Sequence, residues 1–116
     1  MREITERVKF RKDGDIGVFR FLGDFDIEDR EPLIIYFDDK LGEGIRKFVI
    51  DLSETTYIPS AVWGALITIL KHARENGGEV YITGLNGQPA KVFQVMSFDK
   101  IFKTFADINE ALKSVR

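Results

Sequence analysis

A chain of 116 residues, 44% hydrophobic and 31% charged, has the size and composition of one soluble globular domain that needs no disulfide or metal staple. Its 17 Lys+Arg against 19 Asp+Glu leave a formal net charge of −2, which argues against a dedicated nucleic-acid binder. With no cysteine and one histidine, His72, the chain offers no thiol nucleophile, no thiolate metal site and no multi-His metal site.

The N-terminal stretch Met1 to Lys12 is charged throughout, unlike a secretory leader. No apolar run approaches the roughly 18 residues of a membrane-spanning helix. A single cytoplasmic domain over residues 1–116, without membrane insertion, is therefore expected. Ile4 to Arg11 reads as a first strand, with Ile4, Val8 and Phe10 set among charged residues. Asp13-Gly14-Asp15 turns the chain into a second strand, Ile16 to Leu22. After Gly23 and the acidic run Asp24-Phe25-Asp26, the segment Asp29-Arg30-Glu31-Pro32 suits a helix start. Leu33, Ile34, Phe37 and Leu41 keep helical spacing until Gly42-Glu43-Gly44 stops it. Phe48 to Leu52 is nearly all apolar, the pattern of a strand buried on both faces of a parallel sheet. Ser53 to Thr56 reads as a polar loop. A helix with a wide apolar face then follows from Ala61 to Leu70 and ends at Gly77-Gly78. Glu79 to Thr83 is a further strand and Gln88 to Met96 a short helix. Ile101 and Phe102 suit a last short strand or turn. Ala106 to Val115 closes the chain as a helix capped by Asp107 or a neighbour. An opening hairpin followed by alternating strands and helices implies an α/β fold, its mixed sheet having a parallel core covered by about four helices.

Neither GxxxxGK[ST] nor a GxGxxG after a strand is present, and Gly42-Glu43-Gly44 follows a helix, so no phosphate-cradling loop is expected. No GxSxG elbow accompanies His72, which reads as an exposed or half-buried helix residue near a C-terminal dipole. A phospho-acceptor aspartate of the receiver type fails on connectivity, because one helix alone separates Asp26 from the strand holding Asp51. The most informative junction is Tyr57-Ile58-Pro59-Ser60-Ala61-Val62-Trp63-Gly64. Pro59 forces Ile58 to be extended, and Ser60 then suits an N-cap, worth roughly 1 kcal/mol. A hydroxyl exposed at a helix N-terminus can also be phosphorylated, and its added charge of about −1.5 to −2 sits well on the helix dipole. On residue physics alone the cap outweighs the switch. Trp63 suits either the core, with Ile67 and Leu70 on its stripe, or an interface anchor. The line Ala61, Gly64, Ala65, Thr68 and His72 suits either a partner groove or a close helix contact.

With these residues in view, the chain resembles the STAS domain, and within it the bacterial anti-sigma factor antagonists. Three stretches carry the resemblance: Phe21 to Asp26, Phe48 to Ser53, and Ile58 to Gly64. Gly77 to Ile82 and the Val92-Phe93, Phe98-Asp99 and Ile101-Phe102 pattern fit as well. The resemblance implies a STAS fold and a regulatory module that is not an enzyme and needs no cofactor. It implies an anti-sigma factor of the serine-kinase type as partner and transcription regulation as outcome. By position, Ser60 is the implied phospho-acceptor and Asp26 the acidic residue near it. The implied partner surface comprises Asp24, Asp26, Pro59, Ser60, Ala61, Val62, Trp63 and Gly64. Pro59 replaces the family's acidic residue before the serine, and Val62 replaces a glycine, adding bulk where a partner would approach. Those departures suit an alternative, a phosphorylation-independent STAS scaffold or a subunit of a transport or stress complex. A third class, a flavodoxin-like enzyme or ligand-binding domain, would have to draw on Asp24, Asp26, Ser53 and Thr83.

Overall fold

The computed structural model describes residues 3–116. Its five strands lie in the order β1-β2-β3-β4-β5, the same as their order along the chain. β1 (Val8–Asp13) and β2 (Ile16–Asp24) form the antiparallel hairpin, turning at Gly14 with φ +63°, a conformation that favours glycine. β3 (Lys47–Tyr57), β4 (Glu79–Thr83) and β5 (Lys103–Phe105) continue the sheet in parallel. Five α-helices complete the fold: α1 (Ile4–Arg7), α2 (Arg30–Gly42), α3 (Ser60–Glu75), α4 (Gly87–Val95) and α5 (Ile108–Val115). Two 3-10 turns, Ile27–Asp29 and Phe98–Lys100, join them.

Strand alternation divides the apolar residues between two faces. Phe19, Phe21, Phe48, Ile50 and Leu52 face the layer of α2, α3 and α4, with Leu33, Phe37, Leu66 and Ile69 packed on them. Ile16, Val18 and Val49 face the other way, under Ala111, Leu112 and Val115 of α5. The expected mixed sheet with a parallel core is therefore present.

Two segments differ in kind from what the sequence suggests. Ile4 to Arg7 is a helical turn, not strand, because the Glu3 and Glu6 side chains and backbones close a reciprocal capping box. Ser53 to Thr56 is not a loop. β3 runs on to Tyr57, and beyond Asp51, where β4 ends, it pairs with β2 alone. Ile101 and Phe102 form a turn, one of the two forms expected of them, and β5 follows directly at Lys103. The closing helix is capped as expected, with the Asp107 carboxylate accepting from the Glu110 amide at 2.9 Å.

Candidate functional site

The parallel strands deliver Asp24, Tyr57, Thr83 and Phe105 to one edge of the sheet, and α3 starts from that edge. Ser60 is not the N-cap. Pro59 takes that position with extended angles (φ −76°, ψ 163°), and its carbonyl accepts from the Val62 and Trp63 amides at 3.0 and 3.2 Å. Proline at the cap has no side-chain acceptor to offer, and Ser60 becomes the first helical residue. Its side chain is exposed, and its hydroxyl has no hydrogen-bond partner among the described residues.

The loop before α3 is held from two sides. The Ile58 amide donates to Gln88 Oε1 at 3.0 Å, and Gln88 Nε2 donates back to the Ile58 carbonyl at 3.1 Å. Ile58 itself is fully buried. Opposite, the Phe25 amide donates to the Tyr57 carbonyl at 3.0 Å, and the Thr56 hydroxyl donates to the Asp24 carboxylate. Asp26 caps the 3-10 turn, accepting from the Glu28 amide at 2.9 Å. Asp24 and Asp26 are both exposed beside this junction. Ile27, 69% exposed, and Tyr57, 46% exposed, put apolar surface on the same edge.

Beneath lies a buried ion pair that the sequence reading missed, because Asp29 there served as a helix-start signal. The Arg7 guanidinium donates to both carboxylate oxygens of Asp29 and, at 3.2 Å, to the Asp24 carbonyl. The Asp26 amide donates to Asp29 Oδ2 at 2.9 Å. Burial pushes the Asp29 carboxyl up, but the hydrogen bonds from Arg7 and Asp26 and the Arg7 charge outweigh it, leaving Asp29 below its ordinary value. The Asp29 hydrogen bond raises Arg7 in turn. Seventeen or more residues separate Arg7 from these partners, so no local signal could reveal the bond.

Two residues expected at the partner surface are elsewhere. Val62 is fully buried and Trp63 is 1% exposed, so neither offers a face to a partner. The bulk of Val62 fills the core instead of the space where a partner would approach. Trp63 packs against Phe93, Phe98 and Phe102 at centroid distances of 5.8, 5.1 and 6.1 Å. The small line along α3 divides: Ala61 and Gly64 are half-buried on the accessible side, the Thr68 hydroxyl donates to the Gly64 carbonyl within the helix, Ala65 is buried, and His72 Nδ1 lies 2.8 Å from Asp38 on α2.

A model of the STAS domain matches residues 7–111. The chain belongs to the STAS domain family. A Thermotoga maritima protein, provisionally named an anti-sigma factor antagonist, is 31% identical over 80 residues, covering 69% of this chain and 71% of its own. A Thermotoga maritima crystal structure under the same provisional description superposes with a TM-score of 0.86 at 22% identity, over 99% of each chain. The Bacillus cell fate determinant SpoIIAA, solved in its phosphorylated form, has a TM-score of 0.75 at 15% identity, over 94% of this chain and 99% of its own. At such identities these two structures show the fold alone.

In this STAS domain the other strand-end polar groups satisfy one another. The Asp51 carboxylate accepts from the Ser53 hydroxyl at 2.6 Å and the Thr83 hydroxyl at 2.9 Å. Asn86 Nδ2 donates to the Gly84 carbonyl at 2.9 Å. Among the described residues no His, Cys, Asp and Glu group could hold a metal ion, and no helix is long and apolar enough to cross a membrane.

Proposed function

We propose that this STAS domain is a cytoplasmic anti-sigma factor antagonist that binds an anti-sigma factor of the serine-kinase type and is switched at Ser60. The observation that carries the reading is the exposed, unpartnered Ser60 hydroxyl in the first turn of α3, beside exposed Ile27 and Tyr57. A kinase can reach that hydroxyl without opening the fold. The partner surface comprises Asp24, Asp26, Pro59, Ser60, Ala61 and Gly64, with Ile27 and Tyr57 as its apolar part. Phosphate on Ser60 would add a charge of about −1.5 to −2 to a surface that already carries Asp24 and Asp26. It would repel an acidic or apolar partner while sitting favourably on the helix dipole. The naming of the Thermotoga relative and the phosphorylated form of SpoIIAA support this reading.

The test is affinity capture from the source organism, comparing wild type with Ser60→Asp. Wild type is expected to retain a kinase-type anti-sigma factor, and Ser60→Asp to lose it. The captured kinase should add one phosphate to wild type and none to Ser60→Ala. Pro59, which removes the family's acidic residue, favours a second reading, a scaffold that binds without phosphorylation. Equal retention of one non-kinase partner by both proteins would establish that scaffold and end the switch.

A further inference from the structure

β1 ends the sheet, so among the described residues one side of its backbone has no strand beside it. Along such an edge, alternate N–H and C=O groups point outward, ready to pair with another extended segment. The side chains on this edge are unusual in their charge. Lys9 lies directly opposite Arg20 on β2, and Arg11 directly opposite Val18. Val18 belongs to the core under α5, so Lys9, Arg11 and Arg20 all stand on the α5 face.

That corner of the face is open. α5 packs over β3, β4 and β5, and beyond its end Arg116 pairs with Asp13 at 2.8 Å, at the far end of β1. A shallow hollow of about 110 Å3 is left, lined by Lys9, Phe10, Arg11, Val18 and Arg20. Arg20 is paired with Glu54 at 2.8 Å, but Lys9 and Arg11 have no ion pair among the described residues. Like charges placed directly opposite across a sheet repel, and with Glu54 held by Arg20, Lys9 has a cation opposite it and, among the described residues, no carboxylate of its own. In a chain of net charge −2 this corner is a local reversal of sign.

We propose that the β1 edge takes up an extended acidic segment of a partner protein as a sixth strand. Acidic residues at alternate positions face Lys9 and Arg11, and apolar residues between them lie beside Phe10. Residues two apart in a strand are about 6.6 Å apart, so a Glu-x-Glu repeat matches the Lys9 to Arg11 spacing. The opposite side of β1 suits the apolar positions: Phe10 is half-buried against Phe19, ring centroids 5.0 Å apart. A second copy of this chain is disfavoured, since antiparallel pairing of β1 with itself sets Arg11 against Arg11 or Lys9, and the one carboxylate of β1, Asp13, is held by Arg116. A nucleic-acid strand is disfavoured as well, because the molecule as a whole is negative and β1 and β2 put no aromatic ring beside Lys9, Arg11 and Arg20 on that face; Tyr81 and Phe105 stand on β4 and β5, under α5. None of these residues belongs to the Ser60 surface, so the proposal does not depend on the anti-sigma reading.

The test is a titration of the whole chain, followed by NMR, with an acetylated, amidated hexapeptide of alternating Glu and Val. The counterpart of alternating Lys and Val and an oligothymidylate serve as comparisons. Saturable shifts confined to Val8–Asp13 and its β2 neighbours are expected, with slowed exchange of the outward β1 amides. Lys9→Glu with Arg11→Glu, both on exposed side chains, should weaken the Glu peptide about tenfold or more and instead admit the Lys peptide. No binding at millimolar peptide, equal binding of the two peptides by wild type, or shifts centred elsewhere would overturn the proposal. Oligothymidylate reproducing the β1 shifts would also overturn it, replacing the peptide with a nucleic acid.

Discussion

The Arg7 and Asp29 pair is where a single residue decides most. Both side chains are buried, and Asp29 also accepts the Asp26 amide, so the pair fixes the chain just before α2 and beneath the Ser60 edge. Removing Asp29 deprives the buried Arg7 guanidinium of its carboxylate while its contacts with the Asp24 carbonyl and the Phe25 ring remain, and breaking a buried pair in this way costs about 3–5 kcal/mol. Asp29→Ala is expected to lose stability in that range by urea unfolding, far more than loss of the exposed Arg30 and Glu31 pair, which is worth at most about 1 kcal/mol. The pH dependence has a definite sign. A carboxyl held below its ordinary value stabilises the fold fully above the unfolded value of about 3.9, and that contribution is lost as pH falls through the lower folded value. The thermal midpoint of wild type should therefore fall on acidification below about pH 4, and Asp29→Asn should show a flatter acid limb. Trp63 offers a second check at this scale. It is the one tryptophan, 1% exposed, with its indole N–H buried and without a hydrogen-bond partner among the described residues. Its emission should be blue-shifted, protected from iodide and unmoved when a partner binds near Ser60; a shift on binding would return Trp63 to the interface. The stripe Trp63, Ile67, Leu70 told which side of α3 is apolar. What covers Trp63, namely Phe93, Phe98 and Phe102, lies thirty or more residues away and left no local trace.

Among the elements, the apolar central strand, the glycine stops and the amphipathic α5 were legible because their signals are local. The second half of β3 was not. Ser53, Glu54, Thr56 and Tyr57 are exposed, and a polar run paired on one side alone looks the same as a loop. One buried position gives it away in the structure: Thr55 is 2% exposed and donates to the Phe21 carbonyl at 2.9 Å. Gly77-Gly78 marks the boundary between α3 and β4 in the sequence as in the structure, but the two glycines do different work. Gly77 has φ +78° with open space where a Cβ would stand, whereas a Cβ on Gly78 would lie 2.1 Å from the Arg46 carbonyl oxygen. Gly77→Ala should cost about 1–2 kcal/mol, the ordinary strain of a left-handed residue. Gly78→Ala should cost more, because backbone must move where α3 hands over to β4. Chemical denaturation of the two variants side by side checks the order, and reversal of it would mean that the approach of Arg46 to Gly78 relaxes freely.

For the whole molecule, the two candidate surfaces sit at different places on one rigid sheet. Lys9 is level with Arg20, and Arg20 with Asp51, while Tyr57 lies six residues further along β3 and β1 lies two strands to the side. Because β3 is bulged there, the same interval on β2 is the four residues from Arg20 to Asp24, about 13 Å, which is still beyond the roughly 7–10 Å over which substitutions couple. α3 is meanwhile anchored by Val62, Trp63, Ala65, Leu66, Ile69, Leu70 and Ala73, all buried and all beyond the first helical residue. A negative charge at Ser60 therefore has little to disturb and gains about 0.3–1 kcal/mol from the helix dipole. Ser60→Asp should keep or slightly raise the thermal midpoint while it abolishes partner capture, and it should bind the alternating Glu and Val peptide with unchanged affinity. In the reverse direction, Lys9→Glu with Arg11→Glu should leave capture through the Ser60 edge intact. Measuring both variants and their combination forms a double-mutant cycle whose interaction term is expected to be near zero. A large term would mean that the two edges report one shared conformational change, and the sheet could then no longer be treated as a rigid platform between them.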